Sequence, residues 1–83
     1  MKIILFYEDK KDELDLNNTS TILQLRQMLN DKYVPLESQV LALIDGNNIK
    51  ELDFNSAINN KTMGEISSNR FTLSFELRTK IQL

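Results

Sequence analysis

Residues 19–35 read "TSTILQLRQMLNDKYVP" and carry the signals of a complete helix. Thr21 and Gln24 have the spacing of a capping box, in which each side chain accepts the other residue's backbone N–H at the start of a helix. Val34 precedes Pro35 and is pushed to extended geometry, which ends the helix. Apolar side chains recur at helical spacing: Ile22, Leu25, Leu29 and Tyr33. The stretch predicts a helix with one face on a core, and Arg26 on the opposite, polar face.

Five segments around this helix carry strand patterns. Lys2–Tyr7 is β-branched, aromatic and apolar on both faces, which is typical of a central strand. The polar residues 8–11 predict a hairpin turn, and Asp45-Gly46 predicts a second turn. The other predicted strands are Asp12–Leu16, Val40–Ile44, Ile49–Leu52 and the alternating run Phe71–Leu77.

A single helical turn is predicted before the last strand, with Thr62 as its N-cap and with Met63 and Ile66 facing inward. The Asn-rich segment 52–61 is predicted to be irregular, either anchored on the core or acting as a binding loop. Its apolar anchors are Leu52, Phe54 and Ile58. The order of elements predicts an α+β roll, a mixed sheet of four to five strands with one helix packed across one face.

Size and charge limit the classes of function. A chain of 83 residues predicts a single domain with one core. The net charge of −2 and the pI near 5.0 give no electrostatic reason to bind nucleic acid or an anionic membrane surface. No apolar run approaches the roughly 20 residues that a membrane span requires. We therefore expect a cytoplasmic and/or nuclear domain that is a monomer when isolated.

The chain contains neither Cys nor His. Disulfides, thiolate chemistry and the usual zinc ligands are therefore excluded, together with the usual general base of nucleophilic catalysis. The spacing of the acidic residues matches no oxygen-ligand loop, and a solvated face explains them better. We expect no catalytic residue, no metal and no cofactor, so an enzyme is the least favoured class.

Several stretches, taken in order, resemble the β-grasp of the ubiquitin family. They are "MKIILFY" (1–7), "TSTILQLRQMLNDKYVP" (19–35), "SQVLALIDGNNI" (38–49), "KTMGEI" (61–66) and "TLSFELR" (72–78). The resemblance implies a ubiquitin-like domain over residues 1–78 and a short tail over 79–83. The helix lead-in and "KTMGEI" are similar to elongin B-type members. That similarity implies an adaptor subunit in a ubiquitin ligase or transcription complex, paired with an elongin C-like or other complex subunit.

Two departures from the family pattern bear on function. The positions of ubiquitin's apolar recognition patch align near Glu8, Ala42 and Glu76. Burial of two unpaired carboxylates is unfavourable, so we do not expect binding to ubiquitin's own receptors. Conjugated members end in Gly-Gly, whereas "TKIQL" follows Arg78 here, so attachment through this end is not expected if the chain is complete. A modifier or sulfur carrier is the alternative, and one domain of a larger protein is a third hypothesis.

Strand alternation predicts the partner-binding site. If Ile3 and Leu5 face the core, the neighbouring apolar side chains lie on the open face of the sheet. These candidate site residues are Ile4, Phe6, Val40 and Ala42, rimmed by Glu13, Asp15 and Glu76. A contiguous apolar patch with a charged rim indicates a protein partner. The alternative is that one or two apolar side chains are simply exposed, as on many soluble proteins.

Overall fold

A computed structural model describes residues 1–68 and 71–80 of the chain. The strands are β1 (Lys2–Tyr7), β2 (Lys10–Asp15), β3 (Gln39–Asp45), β4 (Asn48–Glu51) and β5 (Thr72–Thr79). The helices are α1 (Ile22–Lys32), α2 (Ser56–Asn59) and α3 (Met63–Ser67), and a 3₁₀ turn spans Leu36–Ser38. The five strands form one sheet in the order β2-β1-β5-β3-β4. β1 and β5 are parallel and the other pairs antiparallel, so the predicted mixed sheet of an α+β fold is confirmed.

The helix begins as its sequence predicts. The Thr21 hydroxyl oxygen accepts the Gln24 N–H at 3.2 Å, and the Gln24 side-chain oxygen accepts the Thr21 N–H at 2.9 Å. At the other end, the N–H groups of Tyr33 and Val34 both donate to the Leu29 carbonyl. These bonds satisfy backbone groups that a helix end otherwise leaves without partners.

The core lies between α1 and the inner face of the sheet. The buried side chains alternate along the strands and recur every three to four residues along α1, which are the two periods of the elements that supply them. They are Ile3, Leu5, Ile22, Leu25, Leu29, Val34, Leu41, Met63, Leu73, Phe75 and Leu77. The predicted core stripe of α1 and the inward position of Met63 are confirmed.

Segment 52–61 packs on this core, with its apolar side chains Leu52, Phe54 and Ile58 partly buried against it. The prediction that these residues anchor the segment is confirmed. The prediction that the segment is irregular is wrong over α2, where the Asn55 side chain accepts the Ile58 N–H at 2.9 Å and caps one helical turn. Asn is among the preferred N-cap residues, so a local capping pattern was present in this run.

Arg26 is buried, at 9% exposure, and the prediction that it lies on the polar face of the helix is wrong. Its guanidinium donates to the side-chain oxygens of Gln39 and Asn59 at 3.1 and 3.0 Å and to the Leu36 carbonyl at 3.0 Å. It also lies 3.6 Å from the centre of the Phe54 ring. These partners replace water around the cation, which makes burial of the charge possible.

Phe71 is not part of the last strand. It is 91% exposed, whereas the alternating pattern predicts that it faces inward with Leu73. The strand begins at Thr72, opposite Lys2 at the start of β1, so residue 71 lies before the paired part of the strand. At its other end β5 continues to Thr79, two residues past the predicted boundary, because both Arg78 and Thr79 pair with β3.

Candidate protein-binding face

The face of the sheet opposite α1, called here the outer face, carries the candidate site. Strand register assigns its residues, because directly paired residues project from the same side of a sheet. Two rows cross all five strands in the order β2, β1, β5, β3, β4. The isoleucine row is Glu13, Ile4, Ser74, Ile44 and Ile49, and the phenylalanine row is Lys11, Phe6, Glu76, Ala42 and Glu51.

The four predicted site residues all lie on this face, but they are not equally accessible. Phe6 is 37% exposed, and Ile4 and Val40 are half-buried. Ala42 is fully buried, so the prediction that it is exposed is wrong. Its register partners on the two neighbouring strands are Glu76 and Glu51, both with longer side chains.

Two further apolar residues lie on the outer face and were not predicted as site residues. Ile44 is half-buried beside Ala42 along β3, and Ile49 on the edge strand β4 is 56% exposed. Their positions follow from the pairing Ile44–Ile49 and from the pairing of Ile44 with Ser74 of β5. The alternation of β3 contained this information for Ile44, whereas Ile49 required the register of the β3–β4 hairpin.

An open groove of about 730 Å³ crosses the outer face. It forms where β1 ends at Tyr7, opposite Leu77, while β5 continues to Thr79. Phe6 and Ile44 supply its apolar walls, and the side chains of Glu76 and Arg78 also line it. An apolar depression with a few charged groups at its border is the usual form of a protein-binding surface.

Two of the charged side chains that line the groove, Glu76 and Arg78, are paired with each other. The Arg78 Nε donates to the Glu76 carboxylate at 2.7 Å. This bond lowers the pKa of Glu76 and raises the pKa of Arg78, and the negative charge of Glu51 adds a smaller contribution to Arg78. Glu76 therefore does not present the unpaired carboxylate that the sequence predicts. On the neighbouring strands, Lys2 and Glu13 form a second ion pair at 3.4 Å.

Within residues 1–68 and 71–80, no cluster of three acidic side chains has the geometry to hold a metal ion. In the same part of the chain, none of the helices combines the length and apolar character needed to span a bilayer. The chemistry that these residues offer on the outer face is burial of apolar surface, with ion pairs at its border.

Solved structures give the comparison with known proteins. The ubiquitin-like domain of PLXNC1 matches 95% of this chain and is itself 97% covered, with a TM-score of 0.70 and 15% sequence identity. ATBAG1, solved in complex with HSP70, matches 96% of this chain with a TM-score of 0.70 and 16% identity, and this chain spans 40% of that one. No family model matches the sequence, and no curated protein matches it. The structural matches confirm that the chain has the ubiquitin-like fold.

Proposed function

We propose that this chain is a ubiquitin-like protein-interaction domain that binds a protein partner non-covalently through its outer face. One observation carries the proposal: Phe6 and Ile44 line an open groove on this face, and Phe6 and the edge-strand residue Ile49 are 37% and 56% exposed. Exposed apolar surface with a charged border contributes binding energy when a partner covers it. The ion pairs at the border set orientation and specificity more than affinity.

The structural neighbours support protein binding in general terms. One is a ubiquitin-like domain, and the other is part of a chain solved with HSP70 as its partner. The finer proposal is an adaptor subunit of the elongin B type, which stabilises an elongin C-like or other subunit of a complex in the cytoplasm or nucleus. It rests on the similarity of the helix lead-in and of "KTMGEI" (61–66). A binding role rather than catalysis fits a chain that has neither Cys nor His.

The test is capture of partners from an extract of the source cells by the immobilised chain, with Phe6→Asp as the disruptive variant. The matched control is Met28→Asp, because Met28 on α1 is also 37% exposed but lies on the helix side of the molecule. A carboxylate in the centre of a buried apolar contact is expected to weaken partner recovery by about tenfold or more. The control is expected to recover the same partner at the wild-type level.

Ile49→Asp provides a second disruptive variant, because Ile49 is more exposed than Phe6 and lies on an edge strand, where folding depends less on the side chain. Circular dichroism establishes that each variant is folded. Recovery of the same partner at the wild-type level by both Phe6→Asp and Ile49→Asp would overturn the proposal, and so would loss of the partner with Met28→Asp alone.

A further inference from the structure

We propose that the outer face also binds a second copy of this chain, forming a weak symmetric dimer. This inference rests on the proposed function in one respect, that the outer face is a binding surface. It goes further by naming the partner, a second copy of this chain, whose surface residues are the same.

The two rows are complementary to each other. Two-fold symmetry makes a dimer interface self-complementary, so each contact occurs twice. We place the two-fold axis in the plane of the interface, perpendicular to the strands and midway between the two rows. Rotation about this axis brings the isoleucine row of one copy opposite the phenylalanine row of the other. The facing pairs are Ile4 with Phe6, Ile44 with Ala42, Ser74 with Glu76, Lys11 with Glu13, and Ile49 with Glu51.

Four of the five pairs match in polarity or charge, and the fifth places Ile49 opposite Glu51 at the edge of the contact. The larger Ile44 side chain faces the position of the smaller Ala42, whose own methyl group is fully buried. The Ser74 hydroxyl faces the Glu76 carboxylate, to which it can donate a hydrogen bond. Lys11 forms no ion pair with the described residues, and its partner across the axis is Glu13, which is 56% exposed beside Lys2. The Glu51 carboxylate remains in water at the edge of the contact.

The other simple face-to-face arrangement is less favourable. An axis parallel to the strands would run along the central strand β5 and bring Glu76 against Glu76 and Arg78 against Arg78 of the second copy. Like charges placed opposite one another destabilise a contact. The perpendicular axis avoids both contacts and keeps the strand directions aligned, as in other face-to-face sheet packings.

The area predicts a weak dimer. Five strands about 4.8 Å apart and two rows about 6.7 Å apart give a contact of about 24 Å by about 13 Å, or about 320 Å² on each copy. The total of about 650 Å² lies below the range of stable complexes. We expect a dissociation constant of about 0.1 to 1 mM, a range typical of weak association. The chain is then a monomer at low micromolar concentration, in line with the expectation from its sequence.

Charge reversal tests the dimer by sedimentation velocity, over concentrations from about 10 µM to about 1 mM, the range that brackets the expected affinity. Lys11→Glu places two carboxylates opposite each other, and Glu13→Lys places two ammonium groups there. Because each substitution changes two symmetric contacts, each variant alone is expected to self-associate about tenfold more weakly than wild type. An equimolar mixture of the two variants restores both opposite-charge contacts and is expected to associate at least as well as wild type.

Recovery in the mixture supports the proposed axis, because a purely intramolecular effect of either substitution would persist after mixing. A wild-type chain that stays monomeric at about 1 mM, ten times the lower expected dissociation constant, would overturn the dimer. A mixture that associates no better than the single variants would overturn this arrangement. Partner capture that depends on Phe6 would leave the proposed function standing in either case. Dimer formation without any Phe6-dependent partner would contradict that function alone.

Discussion

At the residue scale, Arg26 shows how a charged side chain becomes part of this core. Its position on α1 lies one turn after Ile22, on the border of the buried stripe. Gln39, itself buried, accepts from the Arg26 Nε and donates its amide to the carbonyls of Arg26 and Val34. Burial lowers the pKa of Arg26 below its ordinary value, but a guanidinium remains charged under all physiological conditions. The resulting network joins α1, β3 and α2.

Replacement of this side chain tests the network. Arg26→Ala leaves the side-chain oxygens of Gln39 and Asn59 without their donor and removes the contact with Phe54. Loss of hydrogen bonds to a charged group predicts destabilisation by about 2 to 4 kcal/mol. The measurement is urea unfolding followed by circular dichroism, with the exposed neighbour Gln27→Ala as the control, expected to change stability by less than about 0.5 kcal/mol. Equal effects of the two substitutions would show that the network does not stabilise the fold.

At the element scale, helices α1 and α3 both begin with a capping box, but the side chains that close the two boxes differ in chemistry. Gln24 closes the box at the start of α1, and Glu65 closes the box at the start of α3. The Glu65 carboxylate accepts from the backbone N–H and the hydroxyl of Thr62, both at 3.1 Å. The backbone bond is the main reason that the pKa of Glu65 is lowered, and the hydroxyl bond adds to it.

The lowered pKa of Glu65 predicts how stability depends on pH. A carboxylate with a lower pKa in the folded state stabilises the fold above its unfolded-state pKa, and this contribution is lost as the pH falls through the folded-state pKa. Glu65→Gln retains the side-chain acceptor but cannot titrate. We expect the variant to lose less stability than wild type between pH 7 and pH values below about 4, measured by urea unfolding.

Gln24→Glu is the reciprocal control, since it introduces a titratable acceptor at the other box. In this variant the free energy of unfolding is expected to fall more steeply with decreasing pH than in wild type. If the free energy of unfolding changed with pH in the same way for wild type and Glu65→Gln, the bond from Thr62 would not depend on the charged form of Glu65.

At the scale of the whole molecule, the fold was largely predictable from local patterns. The capping box at Thr21 and the apolar periods of α1 and β1 are short-range features, so the sequence contains them directly. The position of Arg26 was not predictable, because its burial depends on Phe54 and Asn59, which are 28 and 33 residues away along the chain. The burial of Arg26 could therefore be predicted only once the position of segment 52–61 was known.

The candidate site was predictable in part for a similar reason. Alternation places Ile4, Phe6 and Val40 on the outer face, because each lies within one strand. Ile49 joins them only through the register of β3 and β4, and Ala42 is fully buried between β5 and β4. Which face a residue occupies is a local property, whereas its exposure depends on the neighbouring strands.

Partner binding through the outer face can be tested by NMR of isoleucine methyl groups. Ile4, Ile44 and Ile49 lie on the outer face, whereas Ile3 and Ile22 are fully buried in the core. The chain labelled at isoleucine Cδ1 is titrated with the partner that it captures. We predict that the signals of the three outer isoleucines shift or broaden while those of Ile3 and Ile22 stay in place. A response confined to Ile58, on the helix side, with the outer three unchanged, would contradict binding through the outer face.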